Sequence, residues 1–134
     1  MTSPEQRLRT HPKERLAASV QRINLREEAE QLRSEPHAPV AGHRQVALVR
    51  RGPVTLILFV FDTDGMLKEH QAAGEITIHV VRGRLTVTVA DDVMELGAGE
   101  LVSLAPGVPH SVRATEASEM LLTISQIPQE SGSH

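Results

Sequence analysis

Gly65-Met66-Leu67-Lys68-Glu69-His70-Gln71-Ala72-Ala73-Gly74-Glu75-Ile76-Thr77-Ile78-His79-Val80-Val81-Arg82-Gly83 and, further along, Gly97-Ala98-Gly99-Glu100-Leu101-Val102-Ser103-Leu104-Ala105-Pro106-Gly107-Val108-Pro109-His110 are the stretches that decide the fold. Both are β-type segments punctuated by glycine. In the first, period-two counting puts Ile76, Ile78 and Val80 on one strand face and His79 on the other. In the second, Leu101–Leu104 reads as a short strand, and the Pro-Gly-Val-Pro corner delivers His110 into another, His110–Arg113.

Working outward, Gln45–Arg51 and Val54–Phe61 read as strands separated by Gly52-Pro53. Asp62-Thr63-Asp64-Gly65 is a turn, with glycine free to take positive φ. Arg84–Ala90 alternates, with Leu85, Val87 and Val89 on one face and Arg84, Thr86 and Thr88 on the other. Asp91-Asp92 turns the chain into Val93–Leu96, and Met120–Ile127 completes the set. Many short strands with turn residues between them argue for an all-β sandwich or barrel.

Residues 1–39 differ in texture, being polar and helix-prone. Ser3-Pro4-Glu5-Gln6 has the residues of a helix start. Asn24-Leu25-Arg26-Glu27 has those of a second, which would carry Leu25, Ala29 and Leu32 on one face and stop at Pro36. Ser19–Ile23 reads either as part of the apolar-spaced stretch through Leu16, Val20 and Ile23 or as a strand leading into that helix. The division is a helical or extended arm at 1–39, a β domain at 40–127 and a frayed polar tail at 128–134.

Composition narrows the function. A chain of 134 residues is one domain by length and can bury a core without staples. It has no cysteine, hence no disulfide framework or thiolate chemistry, which fits a reducing cytoplasm. The net charge of −3 and the lack of a basic tract argue against a nucleic-acid partner. The charged N-terminus has no apolar signal region, and Val54–Phe61, broken by Thr55, is too short to span a bilayer, so no membrane association is expected. Phe59 and Phe61 are the only aromatics, so the core rests on Val, Leu and Ile, with no stacking platform for bases or sugars.

The two quoted stretches resemble the paired motifs of the cupin family. The first of these reads Gly, five residues, His-x-His, three or four residues, Glu, six residues, Gly. The second reads Gly, five residues, Pro-x-Gly, two residues, His. The resemblance covers roughly Gln45 to Ile127 and implies a jelly-roll-like double-stranded β-barrel, with the N-terminal helical arm outside it. It also implies a homodimer and a metal held by two His and a Glu of the first motif and the His of the second. His70 stands at the first histidine position, one residue closer to Gly65 than the family spacing, and His110 stands at that of the second. Ala72 occupies the other histidine position, Ile76 the glutamate position and Ala105 that of the second motif's proline. Glu75 sits one residue early, and on a strand a one-residue shift reverses the face.

Two of the four usual ligand positions therefore carry aliphatic side chains. A divalent transition metal on His70 and His110 would need a recruit, and the candidates are His43 or Glu75, with Glu69 a further one, the glutamates only if a bulge re-aims them. The same replacements make the expected ligand pocket, lined by His70, Ala72, Ile76, Ile78 and His110, mostly apolar with two polar handles, which is the composition of a small-molecule site. The first reading is thus a sensor, carrier or accessory protein that binds a small, partly apolar molecule. The second is a metal-dependent enzyme of the cupin oxygenase or isomerase type with a rebuilt ligand set. The third is a structural scaffold whose arm meets a partner. No catalytic residue is assigned. His79 reads as an outer-face residue. His11, His37 and His134 read as solvated, and Asp62 and Asp64 as turn formers.

Overall fold

A computed structural model describes residues 15–126. The helix start at Ser3-Pro4-Glu5-Gln6, His11, and the 128–134 tail with His134 lie outside the described residues. Among the described residues, nine strands follow one complete helix, α1 (Leu25–Arg33). They are β1 (His43–Arg51), β2 (Val54–Phe61), β3 (Met66–His70), β4 (Glu75–Arg82), β5 (Arg84–Val89), β6 (Asp92–Gly97), β7 (Leu101–Leu104), β8 (His110–Ala114) and β9 (Ser118–Ser125). They form two antiparallel sheets, one in the order β1-β2-β9-β4-β7 and one in the order β3-β8-β5-β6.

The side chains that alternate inward along these strands make one core between the sheets. The five-stranded sheet contributes Phe59, Phe61, Ile76, Ile78, Val80, Leu104, Met120 and Leu122. The four-stranded sheet contributes Leu85, Val87, Leu96, Val112 and Ala114. Leu85, Val87, Val80 and Met120 have no exposed surface. Burial of this aliphatic surface is the main stabilising term, since the chain has almost no aromatic area to add.

β2 is apolar on both faces because both are covered. Phe59 and Phe61 point into the main core, while Leu58 and Val60 join a second cluster with Leu48, Val49, Ala29 and Leu32 beneath α1. The helix begins as its sequence indicates: the Glu27 amide donates to Asn24 Oδ1 at 3.1 Å, a side-chain cap. It ends at Arg33, with Ser34 as C-cap, ahead of Pro36. The Arg33 guanidinium donates to the nearly buried Glu119 carboxylate at 2.7 Å, which pins the helix to β9. The part of the arm that is described is therefore a helix packed on the sheet, and residues 19–23 form no strand.

Three boundaries depart from the alternation pattern. β1 starts at His43, two residues before Gln45, because His43 pairs with Phe61. β9 spans Ser118–Ser125, in register along the whole of β2 from Phe61 to Val54, so hydrogen bonding to β2 sets its limits. β3 is a separate edge strand, mostly exposed, so it has no run of inward apolar residues to announce it. The tight turn from β4 to β5 requires glycine: Gly83 has φ +89°, and a Cβ there would lie 2.2 Å from Ser118 Oγ.

Candidate functional site

His70 ends β3 and His110 begins β8, and the two strands pair at the edge of the four-stranded sheet. Leu67 faces Val112 in a regular register, then one extra residue in β3 shifts the pairing so that His70 faces His110. Without that bulge, His70 would lie an odd number of residues from the inward Leu67 and point to the other face. The bulge turns it toward the side on which His110 lies. The imidazole centroids are 4.3 Å apart, with the rings inclined at 63°, edge to face.

Each ring is oriented by its own backbone. His70 Nδ1 donates to the Lys68 carbonyl at 2.9 Å, and His110 Nδ1 donates to the Val108 carbonyl at 3.0 Å. A carbonyl only accepts, so each Nδ1 carries a proton, and a ring in its neutral form has its lone pair at Nε2. No described residue bonds either Nε2.

The two rings differ in environment. His110 is 2 % exposed, whereas His70 is exposed. Burial pushes the His110 pKa below the ordinary histidine value; the Val108 hydrogen bond works the other way, and the neighbouring His70 adds a lesser lowering. Around the pair, the Gly107 amide donates to the Ala72 carbonyl at 2.9 Å, tying the loop after β3 to the loop before β8. Ala72, Val108 and Val89 are partly buried against the main core; Val89 pairs with His110, Val108 precedes it by two residues, and Ala72 is tied to Gly107, so these three make up the apolar rim at this end of the sheet.

The remaining candidates fall elsewhere. Ile76 and Ile78, read as pocket walls, are 3 % and 1 % exposed and belong to the packed core on the facing sheet. The histidines do not face each other across an open cavity, since rings at 4.3 Å are in contact. His43 packs its ring against Phe59 and Phe61, and its Nδ1 donates to the Met66 carbonyl at 3.0 Å. That places it beside the first residue of β3, whereas His70 is the last. Glu75 is exposed and alternates with the inward Ile76. Neither recruit joins the imidazole pair, and no group of three or more His, Asp or Glu among the described residues could hold a metal ion. The donor set thus stops at two imidazoles, fewer than the three or four protein ligands a first-row metal site uses.

His79 is half-buried on the outer face, opposite Leu101 and Leu121. His37 is exposed, with Nε2 3.4 Å from Glu35. Asp64 has φ +68° in the turn before β3 and bonds Arg113 at 2.9 Å, so it shapes the turn. Sequence reasoning missed the partly buried Val89 and Val108 at the rim, because only pairing of β5 and β8 brings Val89 opposite His110.

The cupin-domain family model matches residues 57–125, just over half of the chain. A conserved protein of unknown function from Streptococcus pyogenes is similar in structure, with a TM-score of 0.67 at 18% identity over 85% of this chain and 94% of that one. KdgF from a Halomonas species gives a TM-score of 0.62 at 18% identity, covering 69% of this chain and 86% of that one. Salicylate 1,2-dioxygenase from Pseudoaminobacter salicylatoxidans, as a point mutant, gives 0.63 at 14% identity over 75% of this chain and 32% of the larger protein. At these identities the likeness is one of fold. No curated protein sequence matches this chain.

Proposed function

Because this chain belongs to the cupin family, we propose that it uses the end of the double sheet around His70 and His110 to bind a small, partly apolar molecule, as a sensor, carrier or accessory protein. One observation carries the reading: two imidazoles from different strands are held in contact, each with its Nδ1 committed to backbone and its Nε2 without a partner. A few placed polar atoms beside an apolar rim are what orients a small ligand. Since the rings touch, a ligand would lie against the pair rather than between them, meeting Nε2 and the rim of Ala72, Val89 and Val108. The alternative, a metal-dependent oxygenase or isomerase, draws on the same imidazole pair, but it needs donors that Ala72 and Ile76 do not supply. The test is an NMR screen of the full chain against a library of small phenols, alcohols and amides. Saturable shifts at His70, His110, Ala72 and Val108 support the reading. A screen in which every hit maps away from these residues would sink it.

A second copy of the chain is the proposed partner. α1 covers the outer face of the five-stranded sheet over β1 and β2. Toward β4 and β7 that face carries Thr77, His79, Leu101 and Ser103 beside Thr123 of β9, and Leu101 is 56% exposed. That centre, which carries no Asp, Glu, Lys or Arg, is flanked by Arg26, Glu30 and Arg82, which line a cleft of about 560 Å³ with Val81 and Glu119. Charges of both signs on one edge suit a two-fold arrangement, in which each side meets its own complement.

A further inference from the structure

We infer that the His70–His110 rim is a receptor for a neutral hydrogen-bond donor, the O–H or N–H of a phenol, alcohol or amide, and that it has given up the metal ion its family fold is built to carry. The inference rests on the rim being a binding site, as proposed above, and specifies what chemistry it accepts.

The first ground is the fixed tautomer. With Nδ1–H spent on the Lys68 and Val108 carbonyls, both rings can only accept through Nε2 while neutral. A ligand carboxylate brings lone pairs to lone pairs. At the rim it meets two acceptors, so neither imidazole offers it a hydrogen. The charged residues near β3 do not substitute, since Lys68 and Glu69 are both exposed and opposite in sign.

The second ground is the donor set. A divalent ion would gain two nitrogens and no carboxylate to offset its charge. Ala72 and the 3 % exposed Ile76 occupy the positions where the motif resemblance implies the missing ligands. His43 is engaged at the other end of β3, and Glu75 alternates to the outside. A neutral donor needs none of these groups. It needs one or two acceptors and apolar contacts, which Ala72, Val89 and Val108 provide.

The experiment uses the full chain with histidine side chains labelled with ¹⁵N. Long-range ¹H–¹⁵N spectra at pH 7.5 should show both Nε2 atoms unprotonated. Phenol, benzoate and zinc chloride are then titrated separately, the first two being matched in ring and opposite in hydrogen-bonding sense. Phenol should shift the Nε2 resonances of His70 and His110 saturably, and benzoate should leave them in place over the same concentrations. Zinc should be lost on dialysis. His70→Ala, on the exposed ring, should weaken phenol binding roughly fivefold, the loss of one hydrogen bond. His110→Gln, which keeps a polar side chain at the buried position, should weaken phenol binding by a similar factor, and unchanged binding in both variants overturns the donor reading. Tighter binding of benzoate than phenol, or one zinc per chain retained through dialysis, overturns the donor reading while leaving a binding site at the rim. If none of the three moves either imidazole, the binding site itself falls, and the donor reading with it.

Discussion

At the scale of single residues, His110 makes the fold sensitive to pH. Its pKa in the folded chain is depressed, chiefly by burial, from an ordinary value of 6.5. The unfolded chain therefore takes up this proton first as the pH falls. The stability that His110 contributes is present above pH 6.5 and is lost as the pH drops through the depressed folded value. Thermal unfolding of the wild type should show a lower midpoint at pH 5.5 than at pH 7.5, and His110→Gln should show a smaller difference. Equal differences in the two proteins would remove burial of this ring as the cause. The identity of the residue was legible in the sequence through its place after Pro106-Gly107-Val108-Pro109. Its tautomer was not, because a hydrogen bond chooses between the two ring nitrogens, and spacing carries no such information.

At the scale of elements, α1 and β3 show two ways in which a strand or helix acquires its position. The helix was readable because its signals are local: the Asn24 cap, the inward Ala29 and Leu32, and Pro36 beyond its end. What holds it down was not readable, since Arg33 and Glu119 lie far apart in the chain. Arg33→Ala leaves the Glu119 carboxylate nearly buried, with Arg82 at 3.9 Å as its remaining cation. Equilibrium denaturation should show a loss of about 1.5–3 kcal/mol, as for a hydrogen bond to a charged group. Adding Glu119→Gln in the same background should recover part of it, because the stranded charge is gone. If Arg33→Ala costs nothing, α1 rests on its apolar face alone. β3 is the opposite case. Its bulge decides which way His70 points, yet nothing between Leu67 and His70 spells a bulge, which exists only as a mismatch with β8.

At the scale of the whole molecule, the two sheets bury one core, while among the described residues α1 covers only part of the outer face of the larger sheet. If a second copy covers the remainder, light scattering coupled to size-exclusion chromatography should report a dimer. Thr77→Arg, placed at the centre of that face, should convert it to a monomer without lowering the unfolding midpoint. A wild type that is monomeric at every concentration would end the proposal. No helix among the described residues is long and apolar enough to cross a membrane.

The sequence by itself determined the all-β class, most of the strands, the helix beneath them and the two histidines to watch. These follow from period, turn chemistry and caps, which act between near neighbours. Only the tertiary structure decided that the two imidazoles touch, that Ile76 and Ile78 fill the core, and that His43 and Glu75 stay away from the pair. Those outcomes depend on the register between strands distant in the chain, where one added residue reverses a face, and on hydrogen bonds formed only once the sheets are assembled.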